Sequence, residues 1–155
     1  MFVFFLIILA VVCIDLASKA WIIAHFALYE SLEIIPGLFS LTHLTNNGAA
    51  FGMLAGQPAL WRQAFFIAAA AIALVCIWIA LRSFSQRSWI YSAALGLIAG
   101  GAIGNLIDRI RWGFVVDFLD FYLGQSHWPA FNAADSAITV GVALFMVYNL
   151  LFDRQ

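Results

Sequence analysis

The segment FNAADSAI, residues 131–138, sets a carboxylate, Asp135, at the head of a run apolar enough to enter lipid, TVGVALFMVYNLLF. Just upstream, VVDFLDF carries two more acids among apolar residues, Asp117 and Asp120. Two carboxylates held together at low dielectric cannot both ionise easily, so one pKa rises and the pair shares a proton. The ionised member can take a proton from water while the protonated one polarises a carbonyl. That chemistry suits hydrolysis of a peptide bond without a metal or a covalent intermediate. A plainer reading exists for part of the motif. Asn132 is a good N-cap, and Asp135 falls at the third helical position, where its charge meets the positive end of the dipole. A capping box prefers Glu or Gln there, so Asp is an imperfect match. Capping accounts for Asn132 and Asp135 but leaves Asp117 unexplained. Asp117 and Asp120 share a face if their segment is helical and lie on opposite faces if it is extended. Different jobs are expected of them, and a solvated interfacial acid is the plain reading of either.

Other reactive constellations are missing from the sequence. It has no H-E-x-x-H zinc motif, no G-x-S-x-G elbow and no glycine-rich phosphate loop. His25, His43 and His127 lack ligand spacing, and adjacent Ser126 and His127 make a poor nucleophile–base pair. Neither a metal nor a cofactor is expected. Asp15 and Lys19 stand four apart on one face of an apolar stretch. An ion costs about 2.5–3.5 kcal/mol at a lipid-facing helix centre, so these two must face the protein, pair, or snorkel. They serve either as a structural ion pair or directly in a site, with Lys19 close enough to the helix end to snorkel in part. NNGAAFG (46–52) sets Asn46 beside Gly48, which an ordinary turn would explain. GGAIGNLIDRI (100–110) offers Gly100, Gly101 and Gly104 as a small face for helix packing, followed by Asn105, Asp108 and Arg109. Here too a simpler reading stands: Arg109 and Arg111 suit a helix C-terminus, and Asp108 would pair with one of them.

These residues need elements to hold them, and composition names the solvent. The 155 residues are 65% hydrophobic and 10% charged, against roughly 25% charged in a soluble domain. Mean hydropathy is +1.00. A formal net charge of −1 gives no basic field for nucleic acid. One integral-membrane domain, residues 1–155, is expected, with spans over 2–24, 61–81, 89–107 and 133–152, each near the roughly 20 residues needed to cross a bilayer. The first lacks a basic n-region and reads as a retained helix rather than a cleaved signal. Arg82, Arg87 and Arg154 put both termini on the cytoplasmic side, against a counter-signal from Arg62, Arg109 and Arg111. Residues 25–60 and 108–132 then face outward. The Pro36–Gly37 turn between β-branched runs predicts a small β-structure at the surface. WGFVVDFLDFYLG is expected to lie at the interface. Cys13 and Cys76 read as small packed hydrophobes.

Taken in order, DLASK (15–19), NNGAAFG (46–52), GGAIGNLIDR (100–109), VVDF (115–118) and FNAADSAI (131–138) resemble lipoprotein signal peptidase, or signal peptidase II, along nearly the whole chain. The resemblance implies an all-α membrane protein: four transmembrane helices with a small periplasmic β-cradle and an interfacial helix. It implies an aspartic endopeptidase of the bacterial inner membrane that cuts a prolipoprotein just before its diacylglyceryl-modified cysteine. On that resemblance Asp117 and Asp135 are catalytic, and Asn46, Gly48, Asn105, Arg109 and Asn132 surround the substrate. Asp15, Lys19 and Asp108 support the site, and Asp120 falls outside the motifs. The expected partners are a diacylated prolipoprotein, membrane lipid and a globomycin-type cyclic lipopeptide inhibitor. A reading from another class is a non-enzymatic membrane subunit or a small ion or proton carrier, with Asp15, Lys19 and Asp135 as relay groups.

Overall fold

The structure is a computed structural model that describes residues 1–48 and 59–152. Four helices are long and apolar enough to cross a membrane: α1 (Phe2–His25), α2 (Ala59–Phe84), α3 (Trp89–Trp112) and α4 (Ala133–Phe152). All four expected spans are present. The third runs to Trp112 rather than ending near 107, so Asp108 and Arg109 are helical. Gly113 then ends it in the left-handed region at φ 79°, its N–H bonded to the Arg109 carbonyl.

The helices are not equivalent. The most apolar window of α3 is 56% buried, against 11–22% in the other three, so α3 is the central post. Small residues allow the others to close on it. A Cβ at Gly100 would meet Val11 of α1 at 2.8 Å, and one at Gly101 would collide with the Ala134 carbonyl of α4. The outer surfaces of the helices carry exposed Leu, Ile, Val and Phe, as lipid-facing surfaces must. Cys13 and Cys76 belong to that outer surface. They are not packed in the core, because each lies on the exposed face of its helix, α1 or α2.

At one end of the bundle sits an antiparallel sheet in the order β1-β2-β3-β4. β1 (Ser31–Ile35) and β2 (Phe39–Asn46) form a hairpin around Pro36 and Gly37. Proline presets the first corner residue, and Gly37 takes the second at φ 76°. β3 (Val115–Leu123) pairs with β2, setting Asp117 opposite Leu44 and Asp120 opposite Ser40. The short β4 (Ser126–His127) closes the edge. VVDFLDF is therefore extended, which its β-branched and aromatic content favours, and its two acids point to opposite faces. Among the described residues no helix exists besides the four spans. Trp21, Trp61, Trp112 and Trp128 are all half-exposed or more at the sheet end of the bundle, the kind of aromatic belt that suits a membrane interface.

Candidate active site

The site lies where the sheet meets the helix ends, and every polar residue singled out from the motifs reaches it or braces it. Asp117 arrives on β3, with only 3% of its surface exposed. Asp135 arrives in the first turn of α4. Both line one cavity of about 950 Å³, together with Asn46, Gly48, Asn105 and Arg109.

Asn132 organises the pair. Its Nδ2 donates to Asp117 Oδ1 at 2.7 Å, and its Oδ1 accepts from the Asp135 backbone N–H at 2.9 Å. Its own backbone N–H donates to Asp135 Oδ2 at 3.3 Å. The last two bonds form a reciprocal capping box with Asp in the place usually held by Glu or Gln. Capping and site geometry are thus one arrangement, and the same side chain that starts α4 touches the acid on β3.

Other amides complete the ring. Asn46 Nδ2 donates to Asp117 Oδ2 at 3.0 Å, and Asn105 Nδ2 donates to Asp135 Oδ1 at 2.7 Å. Asn105 Oδ1 in turn accepts from Lys19 Nζ at 3.1 Å and from Asn132 Nδ2 at 3.2 Å. Its two donors fix which way round this amide sits. Gly48 gives its N–H to Asn46 Oδ1 and its carbonyl to Arg109, whose guanidinium stacks over Phe66 at 3.8 Å. The Arg109 charge acts on both aspartates. Burial, then the neighbouring Asp135 charge, push the Asp117 carboxyl up to about 7, against the bonds from Asn46 and Asn132 and the Lys19 charge. Such a group still holds a proton near neutral pH.

Beneath the ring lie three buried ions. Lys19 Nζ reaches Asp15 Oδ2 at 2.8 Å and Asp108 Oδ2 at 2.9 Å. Two expectations are corrected here. Lys19 does not snorkel, because two carboxylates and Asn105 satisfy its three donors inside the protein. Asp108 pairs with Lys19 and not with Arg109 or Arg111, because it faces α1 while the guanidinium of Arg109 turns to Gly48. Gly104 makes room for the cluster, since a Cβ there would lie 2.5 Å from Asp15 Oδ2. These held ions are poorly suited to a relay, which would need them free to exchange partners.

Asp120 stands apart. It faces away from the cavity and pairs with the half-exposed His127 at 3.0 Å. Two contributors carry no signal that the sequence reading used. Phe66 lines the cavity under Arg109, and Gln63 Nε2 donates to the Arg109 carbonyl at 3.0 Å. Gln63 is a lone amide at the head of an apolar span, which was the available clue. Phe66 is one of 15 phenylalanines and had none. The part of NNGAAFG from residue 49 onward lies outside the described residues, as does Arg154. No cluster of three or more His, Cys, Asp or Glu side chains able to hold a metal is found among the described residues.

Residues 7–151 match the sequence family described as Signal peptidase (SPase) II. The chain belongs to the signal peptidase II family. Relatives named lipoprotein signal peptidase include that of Desulforapulum autotrophicum, 47% identical over 93% of this chain and 88% of the relative. That of Geobacter sulfurreducens is 48% identical over 99% and 94%. Two solved bacterial membrane enzyme structures each superpose with a TM-score of 0.79, at 33% and 34% identity. They cover 95% and 97% of this chain and 87% and 94% of theirs. Membership of the signal peptidase II family makes this a protease, and its four apolar helices make it a multi-pass membrane protein.

Proposed function

We propose that the chain is an aspartic-type endopeptidase that removes signal peptides from diacylglyceryl-modified prolipoproteins, cutting just before the lipidated cysteine. The observation that carries this reading is convergence. Two acids from different elements, Asp117 on β3 and Asp135 on α4, meet at one cavity and share Asn132 as a hydrogen-bond partner. The shared proton rides on Asp117, whose carboxyl sits in the drier place. Asp135, in the first turn of α4 where the helix dipole favours negative charge, takes a proton from water as the oxygen attacks the scissile carbonyl carbon. Asp117 gives its proton to the carbonyl oxygen. On collapse of the tetrahedral diol the Asp135 proton passes to the leaving nitrogen, and a diol proton returns to Asp117. Water is thus added across the C–N bond, and both carboxyls end as they began. Asn46, Gly48, Asn105 and Arg109 line the cavity and surround the substrate, while Asn132, fully buried, holds the two acids from behind rather than touching substrate. Apolar lining from Phe66, Ile138 and Val140 meets a substrate that arrives from lipid.

The whole chain, residues 1–155, acts as one membrane peptidase domain in the bacterial inner membrane. The site lies at the outer, periplasmic face and both termini are cytoplasmic. Arg82 and Arg87 at the α2–α3 turn support this orientation, because they lie at the end of the bundle opposite the sheet. Membrane lipid is the medium of substrate entry, and a globomycin-type cyclic lipopeptide is the expected inhibitor. The test is cleavage by purified protein in liposomes of a diacylated and a non-acylated precursor. The diacylated one is expected to be cut before its cysteine, unaffected by chelator and blocked by the lipopeptide. Activity lost in chelator and restored by a divalent metal would overturn the mechanism. Proton flux without cleavage would favour a carrier instead.

A further inference from the structure

The Asp15–Lys19–Asp108 cluster does not line the cavity, yet it makes two bonds that an ordinary ion pair would not need. Asp15 Oδ1 accepts the backbone N–H of Ala134 at 2.9 Å. Asp108 Oδ2 accepts the backbone N–H of Val116 at 3.2 Å. Ala134 immediately precedes Asp135, and Val116 immediately precedes Asp117. We propose that the three ions form a calliper: each acid grips the backbone one residue before one member of the aspartate pair, and Lys19 pins the two arms together, setting the separation of Asp117 and Asp135.

Three features point this way. The arms come from different helices, α1 and α3, and each reaches a different element that carries one acid, α4 and β3. The cluster holds two acids against one ammonium, all almost fully buried. Such an excess is a poor device for stability alone, since well-packed apolar residues serve as well or better. Lys19 also reaches Asp135 through Asn105, so the pin and the dyad share one chain of bonds. The three residues are positioning residues, since none meets the cavity.

This inference rests on the dyad reading, and the test separates the two. Displacing a reacting group by about 1 Å can lower turnover about 100-fold. Asp108→Ala is therefore expected to lower kcat by about that factor, with KM little changed. Asp108→Asn keeps an oxygen able to accept from both Lys19 and Val116 and should retain most of kcat. In Lys19→Met the two limbs of the pH–rate profile should draw together, because the coupling between two acids weakens with distance. Loss of the Lys19 charge alone would move both limbs the same way and leave their gap unchanged. The charges that bear on the dyad from neighbouring elements are Lys19 of α1 and Asp108 and Arg109 of α3, with Asp15 behind them. An unchanged gap, or equal losses in Asp108→Asn and Asp108→Ala, would overturn the calliper. If Lys19→Met does not fold, the Asp108 pair decides. Turnover surviving in Asp117→Asn or Asp135→Asn would instead overturn the dyad itself.

Discussion

Asp117 and Asp120 lie three residues apart on the same strand, and the pleat sends them to opposite surroundings. Asp117 is buried under two asparagine amides and faces a second acid. Asp120 points to the other side of the strand, its side chain 15% exposed, and meets a half-exposed imidazole. The residue type, the strand and the membrane depth are shared, so those do not make a carboxylate reactive. Desolvation and a like-charged neighbour do, because both favour a retained proton. On the other face Asp120 meets the half-exposed His127, and a partly exposed contact of that kind contributes only about 0–1 kcal/mol.

The sharpest way to test that contrast is to neutralise one acid at a time. Asp117→Asn and Asp135→Asn should each lower turnover by about 10²–10⁴-fold, the usual contribution of positioned acid–base catalysis. The double variant should be little worse than either single, because the pair acts as a unit. Cleavage assays on protein shown to be folded by circular dichroism check this. Near-native turnover in either single variant would remove the dyad.

A second way is to break the brace beneath the dyad. Lys19→Met leaves two buried carboxylates without their cation, and a loss of roughly 3–5 kcal/mol is expected for a broken buried pair. Adding Asp15→Leu should recover only part of it, because Asp108 still lacks a partner. Adding Asp108→Asn as well should recover more. Thermal unfolding in detergent measures the series. Strictly additive losses would show that the three residues do not interact.

A third reads the pH dependence of stability. The carboxyl of Asp117 titrates near 7 in the folded protein, against 3.8 when unperturbed. Between those values the folded state holds a proton that the unfolded chain has lost. Stability should thus be fully present below about pH 4 and fall as pH rises towards 7, at up to about 1.4 kcal/mol per unit. Asp117→Asn should flatten that slope. Melting temperatures from pH 4.5 to 8 provide the check, and an unchanged slope in the variant would show that another group titrates.

Much of this was legible in the sequence because lipid imposes simple rules. Four long apolar runs can only be spans, and each charge inside one must have a reason. The pairing of Asp15 with Lys19 followed from helical spacing. The third member, Asp108, did not, because it lies 89 positions from Lys19 and only the α1–α3 packing joins them. The hairpin showed in Pro36–Gly37. The strand character of VVDFLDF was hidden, because a short apolar run has no period that separates a strand from a buried helix. Phe66 was invisible for a related reason: its contact with Arg109 depends on where α2 lies, and one aromatic in an apolar helix resembles any other.

The smallest effect is expected at the other acid of β3. Asp120→Asn keeps an oxygen able to accept from His127, and the imidazole also stacks on Tyr122 at 4.8 Å between centroids, so the local fold has a second support. The side chains of His127 and Asp120 are 53% and 15% exposed, so water reaches the imidazole and can replace what the substitution removes there. Surface changes of this kind usually stay within about 0.5 kcal/mol, so stability should barely move and turnover should remain within about twofold of the parent. The measurement is the same cleavage assay, with Asp117→Asn run beside it. Because the two variants make the same chemical change on the same strand, their ratio isolates the effect of surroundings. A loss at Asp120 as deep as that at Asp117 would mean that the outer face takes part in the reaction, and the partner of Asp135 would have to be reassigned.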